Sequence, residues 1–264
     1  MKKVLALVLA AVMCVAVLAG CAAPKEAASS ISTIKKSGEL VMLTNAQFPP
    51  YEYLGNDNKP AGVDIDIANL VAKELGVELK VVDMDFDGLI PALNGGKGDF
   101  VAAGLTITDE RKQSVDFSEP YANATQLIIV NKTDAKVKSP DDLTGKTIGV
   151  QLGTTGDIYV TDVEGATVKQ YKSGLEAAMD LANGKLDAVV LDQLPAQSIV
   201  ANNDTLALID EPFTEEQYAM AIKKGDKELT EVINKVLKQL IDEGKIAEMT
   251  ASHAEMYAKN VPQG

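Results

Sequence analysis

Residues 96–101 read GKGDFV, and residues 184–189 read GKLDAV. Each hexapeptide follows a segment with helical spacing of apolar residues and opens an apolar run typical of a strand. A match this short can arise by chance, but it also follows if the chain forms two similar lobes, each with its own open α/β sheet. In such sheets ligands bind beyond the carboxyl ends of the strands. The two strands would then lead into one shared cleft.

Short apolar runs alternate with amphipathic stretches over most of the chain. This pattern predicts an α/β fold with largely parallel strands. The strand candidates are residues 41–44, 79–82, 100–103, 127–130, 147–150 and 188–191.

Four segments between or after these strands show helix signals. The first, residues 64–75, ends at Gly76, a common left-handed C-cap. Ser139 begins the second, because it precedes Pro140 and two acidic residues. The other two segments show apolar residues at helical spacing and end near Gly184 and Gly244. We expect their apolar stripes to face the core: Ile67, Leu70, Val71 and Leu75; Leu175, Ala178, Met179 and Ala182; Leu229, Val232, Ile233, Val236, Leu237, Leu240 and Ile241.

The first residues have the form of a secretory signal peptide with a lipid attachment site. Lys2 and Lys3 precede an uncharged apolar run over residues 4–17, which is too short to span a bilayer comfortably. Residues 18–21, LAGC, have the form of a bacterial lipobox, in which Cys21 receives a diacylglyceryl group. Acyl chains such as palmitate contribute about 0.8 kcal/mol per buried CH₂. We therefore expect an extracytoplasmic protein anchored to the cell membrane; signal cleavage beside an incidental cysteine is the alternative.

Charge and cysteine content exclude several classes of protein. The formal net charge is −13, and removal of Lys2 and Lys3 would change it to −15. Such an acidic surface argues against binding nucleic acid or an anionic bilayer. Cys14 lies in the segment expected to be removed, so only Cys21 would remain. Neither a disulfide framework nor a cysteine metal site is expected.

Three stretches resemble the amino-acid-binding proteins of bacterial ATP-binding-cassette uptake transporters, the extracellular solute-binding proteins of family 3. They are residues 62–68 (GVDIDIA), 84–93 (MDFDGLIPAL) and 103–112 (AGLTITDERK). Val63 stands where that family usually has an aromatic or larger aliphatic residue. The resemblance covers essentially the whole mature chain, and residues 84–93 and 103–112 are most similar to glutamine-binding proteins.

The resemblance implies a type II periplasmic-binding-protein fold, with two α/β lobes, a ligand cleft and a hinge of two crossings near residues 126–128 and 217–221. It also implies a monomer that delivers its ligand to a transporter permease. The expected organisation is a signal peptide at 1–20, a lipidated N-terminus and tether at 21–37, lobe 1 at 38–125 plus 219–264, and lobe 2 at 126–218.

Arg111 is the first candidate for the ligand site. An amino acid needs donors for its carboxylate, and a guanidinium supplies two parallel ones. A surface ion pair with Asp109 or Glu110 is the alternative. The resemblance implies that Arg111 and Thr106 bind the carboxylate, while the carbonyl of Gly104, next to Ala103 at the same strand end, accepts from the α-ammonium.

The predicted second lobe supplies the opposite wall. Residues 153–156, GTTG, follow a strand and are expected to open a helix, so that N–H groups at Thr154 and Thr155 suit the same carboxylate. A plain N-cap is the alternative. Asp192 ends a strand, where an acid can cap the next helix; the resemblance implies instead that it accepts from the α-ammonium. Phe48 and Phe86 would sandwich the ligand side chain, although either could belong to the core.

Three positions that face the ligand side chain in glutamine-binding proteins differ here. Asn45, Gln151 and Leu191 stand where those proteins have aspartate, lysine and histidine. Asn45 and Gln151 can still bond an amide or another polar group. We therefore predict a polar ligand, glutamine-like or cationic.

Two other functions compete with transport. A few dehydratases share this fold, but general acid–base catalysis needs a titratable residue over the substrate, and the one histidine, His253, is expected on the surface outside the cleft. No serine–histidine or metal-ligand spacing is present, so we predict no enzyme activity, cofactor or metal. A sensor for a signalling partner is the other alternative; no kinase or further transmembrane segment is fused to the chain, which favours transport.

Overall fold

Two five-stranded sheets form the centres of two lobes in the computed structural model, which describes residues 30–212 and 214–260. The predicted signal peptide and the lipid on Cys21 lie outside the described residues. Among the residues that are described, no helix is long and apolar enough to cross a membrane.

All six predicted strands are present. In chain order the strands are β1 Glu39–Thr44, β2 Gln47–Phe48, β3 Glu52–Leu54, β4 Pro60–Ala61, β5 Glu78–Asp83, β6 Phe100–Val101, β7 Val115–Phe117, β8 Ala122–Ala124, β9 Gln126–Asn131, β10 Thr147–Gln151, β11 Thr167–Tyr171, β12 Ala188–Asp192, β13 Leu206–Ile209, β14 Glu216–Tyr218 and β15 Ala221–Lys223.

Helices cover both sheets. They are α1 Ser30–Ser37, α2 Val63–Leu75, α3 Leu89–Asn94, α4 Asp109–Ser114, α5 Thr155–Thr161, α6 Gly174–Ala182, α7 Gln193–Ala201, α8 Lys227–Asp242 and α9 Lys245–Asn260. The predicted helix after Ser139 is only a single 3₁₀ turn, Pro140–Leu143.

The two sheets have matching topologies. Their strand orders are β5-β1-β6-β15-β7 in lobe 1 and β11-β10-β12-β9-β13 in lobe 2. The first three strands of each are parallel, as expected, but β15 and β9 are antiparallel to their neighbours. Their direction differs because each enters its sheet from the other lobe, and not through a helical crossover, which is what makes neighbouring strands parallel.

The repeated hexapeptide forms the same corner in both lobes. Asp99 accepts a hydrogen bond from the N–H of Val41 at 2.7 Å, and Asp187 accepts one from the N–H of Thr147 at 2.9 Å. Each aspartate also donates its own N–H to the carbonyl of that same residue at 2.8 Å. The echo in the sequence therefore reflects two equivalent strand connections.

Apolar stripes hold the helices onto the sheets, but some predicted stripe residues of α6 and α8 are exposed. Helix α2 ends at Gly76, which has a φ of 73°, and it packs against α8. In α6, however, Leu175 and Met179 are 50% and 56% exposed, so the predicted core stripe is wrong there. The small residues of α6 face the sheet instead, and a Cβ added at Gly174 would lie 2.6 Å from the side chain of Leu191. Close helix–sheet contact thus turns the large side chains outward; Ile241 of α8 is likewise 43% exposed.

The predicted tether ends earlier than residue 37. Residues 30–37 form α1, in which Ile34 is only 2% exposed and packs into the core of lobe 1. Ser30 donates from its hydroxyl to the carboxylate of Asp226 at 2.7 Å. Burial of one apolar side chain and this bond attach the segment to α8.

The hinge is a two-stranded antiparallel ribbon of β8 and β14. The first crossing lies at Ala122–Ala124, so its predicted place near residues 126–128 is wrong by a few residues. Gln126 cannot lie in the crossing because it already pairs with Asp192 inside the lobe 2 sheet. The second crossing, at Glu216–Tyr218, overlaps the predicted one. The division of the chain into lobes at 125/126 and 218/219 stays a prediction.

His253 is buried, and the expectation of a surface histidine is wrong. It is 6% exposed on the C-terminal helix α9, which the sequence pattern did not predict. Its Nδ1 lies 3.0 Å from the hydroxyl of Tyr53, and its Nε2 lies 2.9 Å from a carboxylate oxygen of Asp66. These bonds attach α9 to lobe 1.

Candidate ligand-binding site

Side chains from both lobes and from the hinge meet at the carboxyl ends of the central strands. Lobe 1 contributes Arg111, lobe 2 contributes Thr155 and Asp192, and the hinge ribbon contributes Glu216. All four are buried. This is the location at which open α/β sheets bind their ligands.

Arg111 lies on α4, which begins after Thr108; the hydroxyl of Thr108 accepts from the N–H of Arg111 at 3.1 Å. The guanidinium donates to the carbonyl of Thr106 at 2.6 Å and, across the cleft, to the carbonyl of Gly153 at 3.0 Å. Burial lowers its pKa, and nearby carboxylates oppose that effect. Asp109, the alternative surface partner, pairs instead with Lys112 at 3.1 Å.

Arg111 is therefore a buried cation with neutral partners. No carboxylate oxygen of the described residues lies within ion-pair distance of its guanidinium. Its central carbon stands 5.7 Å from the ring centroid of Phe86. Phe86, predicted to contact the ligand side chain, thus presents its ring to Arg111.

Glu216 joins the two lobes at the hinge. Its Oε2 accepts from the hydroxyl of Thr106 in lobe 1 at 2.6 Å and from the hydroxyl of Thr155 in lobe 2 at 2.8 Å. Its Oε1 accepts from the side-chain amide of Gln126 at 3.2 Å. Thr106 and Thr155, two predicted site residues, are thereby brought to one carboxylate.

Asp192 ends β12 as predicted, and its side chain makes no capping bond to the helix that follows. Its Oδ1 accepts from the hydroxyl of Tyr218 at 2.5 Å. Burial, together with the negative charge of Glu216, raises the pKa of Asp192 to about 7. Because no cation is paired with it among the described residues, a ligand ammonium would favour its ionised form.

Gly104 follows Ala103 in the segment after β6 and has a left-handed conformation, with a φ of 51°. A Cβ at this position would stand 2.7 Å from the ring of Phe48, so glycine lets that ring approach. The N–H of Gly104 donates to Asp64 at 3.0 Å, and Tyr121 donates to the other oxygen of the same carboxylate at 2.7 Å. Burial raises the pKa of Asp64 to about 6, although these two bonds oppose it.

Asn45 and Gln151 meet across the cleft. The side-chain amide of Gln151 donates to Oδ1 of Asn45 at 3.0 Å and to the carbonyl of Lys172 at 3.1 Å. Asn45 in turn donates to the carbonyl of Met84 at 2.9 Å. Among the described residues, none donates a hydrogen bond to the Oε1 of Gln151, a residue only 2% exposed. A buried acceptor is thus left for a donor that these residues do not supply.

Thr154 caps α5. Its hydroxyl accepts from the N–H of Asp157 at 3.3 Å and donates to the carbonyl of Gln151 at 2.8 Å. The plain N-cap that was the alternative reading is therefore present, and a ligand contact at Thr154 stays a prediction. Leu191 is 2% exposed and packs against Gly174.

Three polar residues of this region were not singled out from the sequence as site residues: Glu216, Tyr218 and Asp64. Glu216 and Tyr218 alternate along one strand, so they share a face of the hinge ribbon. That two-residue spacing was the signal in the sequence that could have indicated Glu216 and Tyr218 as site residues. It was ambiguous because the adjacent Glu215 is the same residue type but is exposed.

Comparison with known proteins places this geometry in a family. A family model described as bacterial extracellular solute-binding proteins, family 3, matches residues 40–255. The L-cystine-binding protein TcyJ of Escherichia coli is 32% identical over 239 residues, which are 89% of this chain and 90% of that protein.

Two solved structures are similar over most of the chain. Holo ArgBP from T. maritima has a TM-score of 0.78 at 45% identity and covers 80% of this chain and 94% of its own. AbpA, an amino acid ABC transporter substrate-binding protein from Streptococcus pneumoniae solved with L-arginine, has a TM-score of 0.82 at 33% identity, with 86% and 98% covered. The predicted family and the two-lobed fold are confirmed.

Proposed function

Because this chain belongs to the bacterial extracellular solute-binding proteins of family 3, we propose that it captures a cationic amino acid, L-arginine in the first place, between its lobes and delivers it to the permease of an ABC importer. One observation supports this most directly. A buried cation, Arg111, and a buried acid, Asp192, lie at the same cleft without ionic partners of their own among the described residues. A bound amino acid zwitterion supplies both missing charges.

In this proposal the ligand carboxylate binds the guanidinium of Arg111. The α-ammonium binds Asp192 and the carbonyl of Gly104. An ion pair formed in a partly dry cleft is screened far less than one in water, so both contacts strengthen as the lobes close. Closure is then a population shift driven by contacts that only the closed form makes.

The proposed preference for arginine rests on the part of the site that would face the side chain of the ligand. Gln151 has a buried oxygen to which no group in the described part of the chain donates, and a guanidinium carries five N–H donors. Asp85 and Asp87 lie on the lobe 1 side of the cleft: Asp85 pairs with Lys172 of lobe 2, and Asp87 lies against Gly153. Relatives named for arginine, histidine and cystine agree with a polar ligand. A glutamine-like ligand is the second candidate, because the same oxygen can accept from a carboxamide.

A thermal-unfolding screen against the twenty common amino acids tests the proposal. A ligand that binds only the folded state adds RT ln(1 + [L]/Kd), about 2.7 kcal/mol at a hundredfold excess over Kd. For a protein of this size that raises Tm by roughly 5–10 °C. We expect L-arginine to give the largest shift, with L-lysine, L-histidine and L-glutamine below it. A flat response to all twenty would refute amino-acid capture.

Membrane anchoring through Cys21 is part of the same proposal. The wild type should incorporate labelled palmitate, and Cys21→Ser should incorporate none. Equal labelling of both proteins would contradict the lipid anchor.

The dehydratase alternative has little support from the site. The chain's one histidine is bonded to Tyr53 and Asp66, which leaves it no free ring nitrogen for a substrate. Incubation with prephenate or arogenate should give no product. Product formation would favour that alternative.

A further inference from the structure

Glu216 receives a hydroxyl hydrogen from each lobe. Thr106 and Thr155 both donate to its Oε2, at 2.6 and 2.8 Å. The amide of Gln126 donates to the other oxygen. The side chain of Glu216 is 5% exposed and receives three hydrogen bonds. This is the environment of an ionised carboxylate, which can only accept hydrogen bonds.

This arrangement determines whether the two threonine hydroxyls can donate hydrogen bonds to a ligand or accept them from it. A threonine hydroxyl has one hydrogen and two lone pairs. Since Glu216 takes the single hydrogen of Thr106 and of Thr155, neither hydroxyl can donate to a ligand carboxylate. Thr106 can still accept with both lone pairs, whereas Thr155 already accepts from the amide of Gln126 at 3.3 Å and keeps one lone pair for a ligand. The expected donor role of the Thr106 hydroxyl is therefore reversed.

Two neighbouring groups of the site also present hydrogen-bond acceptors. The carboxylate of Asp192 and the carbonyl of Gly104 are acceptors as well, and the charge of Glu216 acts directly on Asp192. Arg111, the donor for the ligand carboxylate, is bonded to the carbonyls of Thr106 and Gly153. The site thus has a donor end at Arg111. At its other end the side-chain donors already bond to acceptors of the protein, so acceptors are left for the ligand; these donors are the hydroxyls of Thr106, Thr155 and Tyr218 and the amide of Gln126.

We propose that Glu216 is a positioning residue that orients the hydroxyls of Thr106 and Thr155 as acceptors and so makes the site demand an α-ammonium group on its ligand. The inference rests on the proposed function, which places an amino acid in this cleft. Glu216 itself acts through the two threonines and also links both lobes to the hinge.

The test compares L-arginine with argininic acid, in which a neutral α-hydroxyl replaces the α-ammonium. Titration calorimetry on the wild type should show at least a hundredfold preference for arginine. Glu216→Ala frees both threonine hydrogens, so arginine affinity should fall at least tenfold while argininic acid affinity changes little. The ratio of the two dissociation constants should therefore shrink at least tenfold.

Glu215→Ala is the matched control, because it removes the same charge from an exposed neighbour and should leave the ratio unchanged. Glu216→Gln retains the side-chain volume and replaces Glu216→Ala if that variant does not fold. Its amide oxygen is a weaker acceptor, so its ratio should also shrink.

A purely structural role would weaken both ligands by the same factor, and an unchanged ratio in the folded Glu216 variant would overturn the inference. Failure of the wild type to bind any amino acid would instead overturn the proposed function. If the wild type binds a different amino acid, that amino acid and its α-hydroxy analogue form the comparison.

Discussion

At the scale of single residues, Arg111 has the sharpest consequence for binding. Its guanidinium is buried and, among the residues that the structure describes, donates to backbone carbonyls only. Loss of one partner of a buried charge pair costs roughly 3–5 kcal/mol. Arg111→Ala should therefore weaken amino-acid binding at least a hundredfold in titration calorimetry. Lys112→Ala, which removes an exposed cation one position away, should leave affinity unchanged; equal affinities for all three proteins would remove Arg111 from the site.

Asp192 predicts how binding depends on pH. Without ligand its pKa is raised to about 7 by burial and by Glu216, and an adjacent ammonium would lower it. The ionised form binds, so affinity is fully present above pH 7 and is lost as the pH falls through 7, by up to about tenfold per unit.

Dissociation constants measured between pH 5.5 and 8.5 check this expectation. Proton release on binding should be small at pH 8.5 and increase as the pH falls through 7. Asp192→Asn should bind the amino acid more weakly, and its dissociation constant should not change between pH 5.5 and 8.5. A wild-type constant that stays flat from pH 5.5 to 8.5 would contradict an ammonium contact at Asp192.

At the scale of secondary-structure elements, α1 shows where the tether ends. Ile34 is 2% exposed against lobe 1, and truncation of such a side chain costs about 2–5 kcal/mol. Ile34→Ala should lower Tm by roughly 4–15 °C without changing ligand affinity. Lys35→Ala, at an exposed position of the same helix, is the control. An unchanged Tm for Ile34→Ala would restore residue 37 as the end of the predicted tether.

At the scale of the whole molecule, direct side-chain bonds join the lobes across the cleft within residues 30–212 and 214–260, in addition to the link through Glu216. They are Gln151 with Asn45, Arg111 with the carbonyl of Gly153, and Lys172 with Asp85. The lobes are therefore closed on each other. The three contacts differ in exposure. The amide pair is buried, whereas the side chains of Lys172 and Asp85 are 70% and 49% exposed.

That difference predicts unequal effects on binding. Asn45→Ala removes a buried bond and leaves the amide of Gln151 with one partner, so affinity should fall about five- to tenfold. Lys172→Ala breaks an exposed pair that solvent screens, and affinity should change less than about threefold. Calorimetric titration of both variants with one amino acid separates the two cases. Equal losses would mean that burial does not decide the strength of the contacts across the cleft.

The amino-acid sequence by itself determined the parts that depend on neighbours along the chain. Strand positions follow from apolar runs such as residues 147–150, and the end of α2 follows from Gly76, because periodicity and backbone freedom are local properties. The repeated hexapeptide also indicated two equivalent lobes. The resemblance to a family indicated Arg111 as a candidate ligand residue, since it lies in the contiguous stretch 103–112, and it implied Asp192 from the end of a strand.

Only the tertiary structure decided which polar groups of the site donate hydrogen bonds, which accept them, and which are buried. Glu216 lies 110 residues from Thr106 and 61 from Thr155, and Tyr218 lies 26 from Asp192. No local sequence pattern shows which of the adjacent glutamates, Glu215 or Glu216, is buried in the hinge. Nor does one show that His253 is buried against lobe 1. Hydrogen-bond direction and burial depend on groups brought together from distant segments, so the direction of each threonine hydroxyl was set only when both lobes and the hinge were in place.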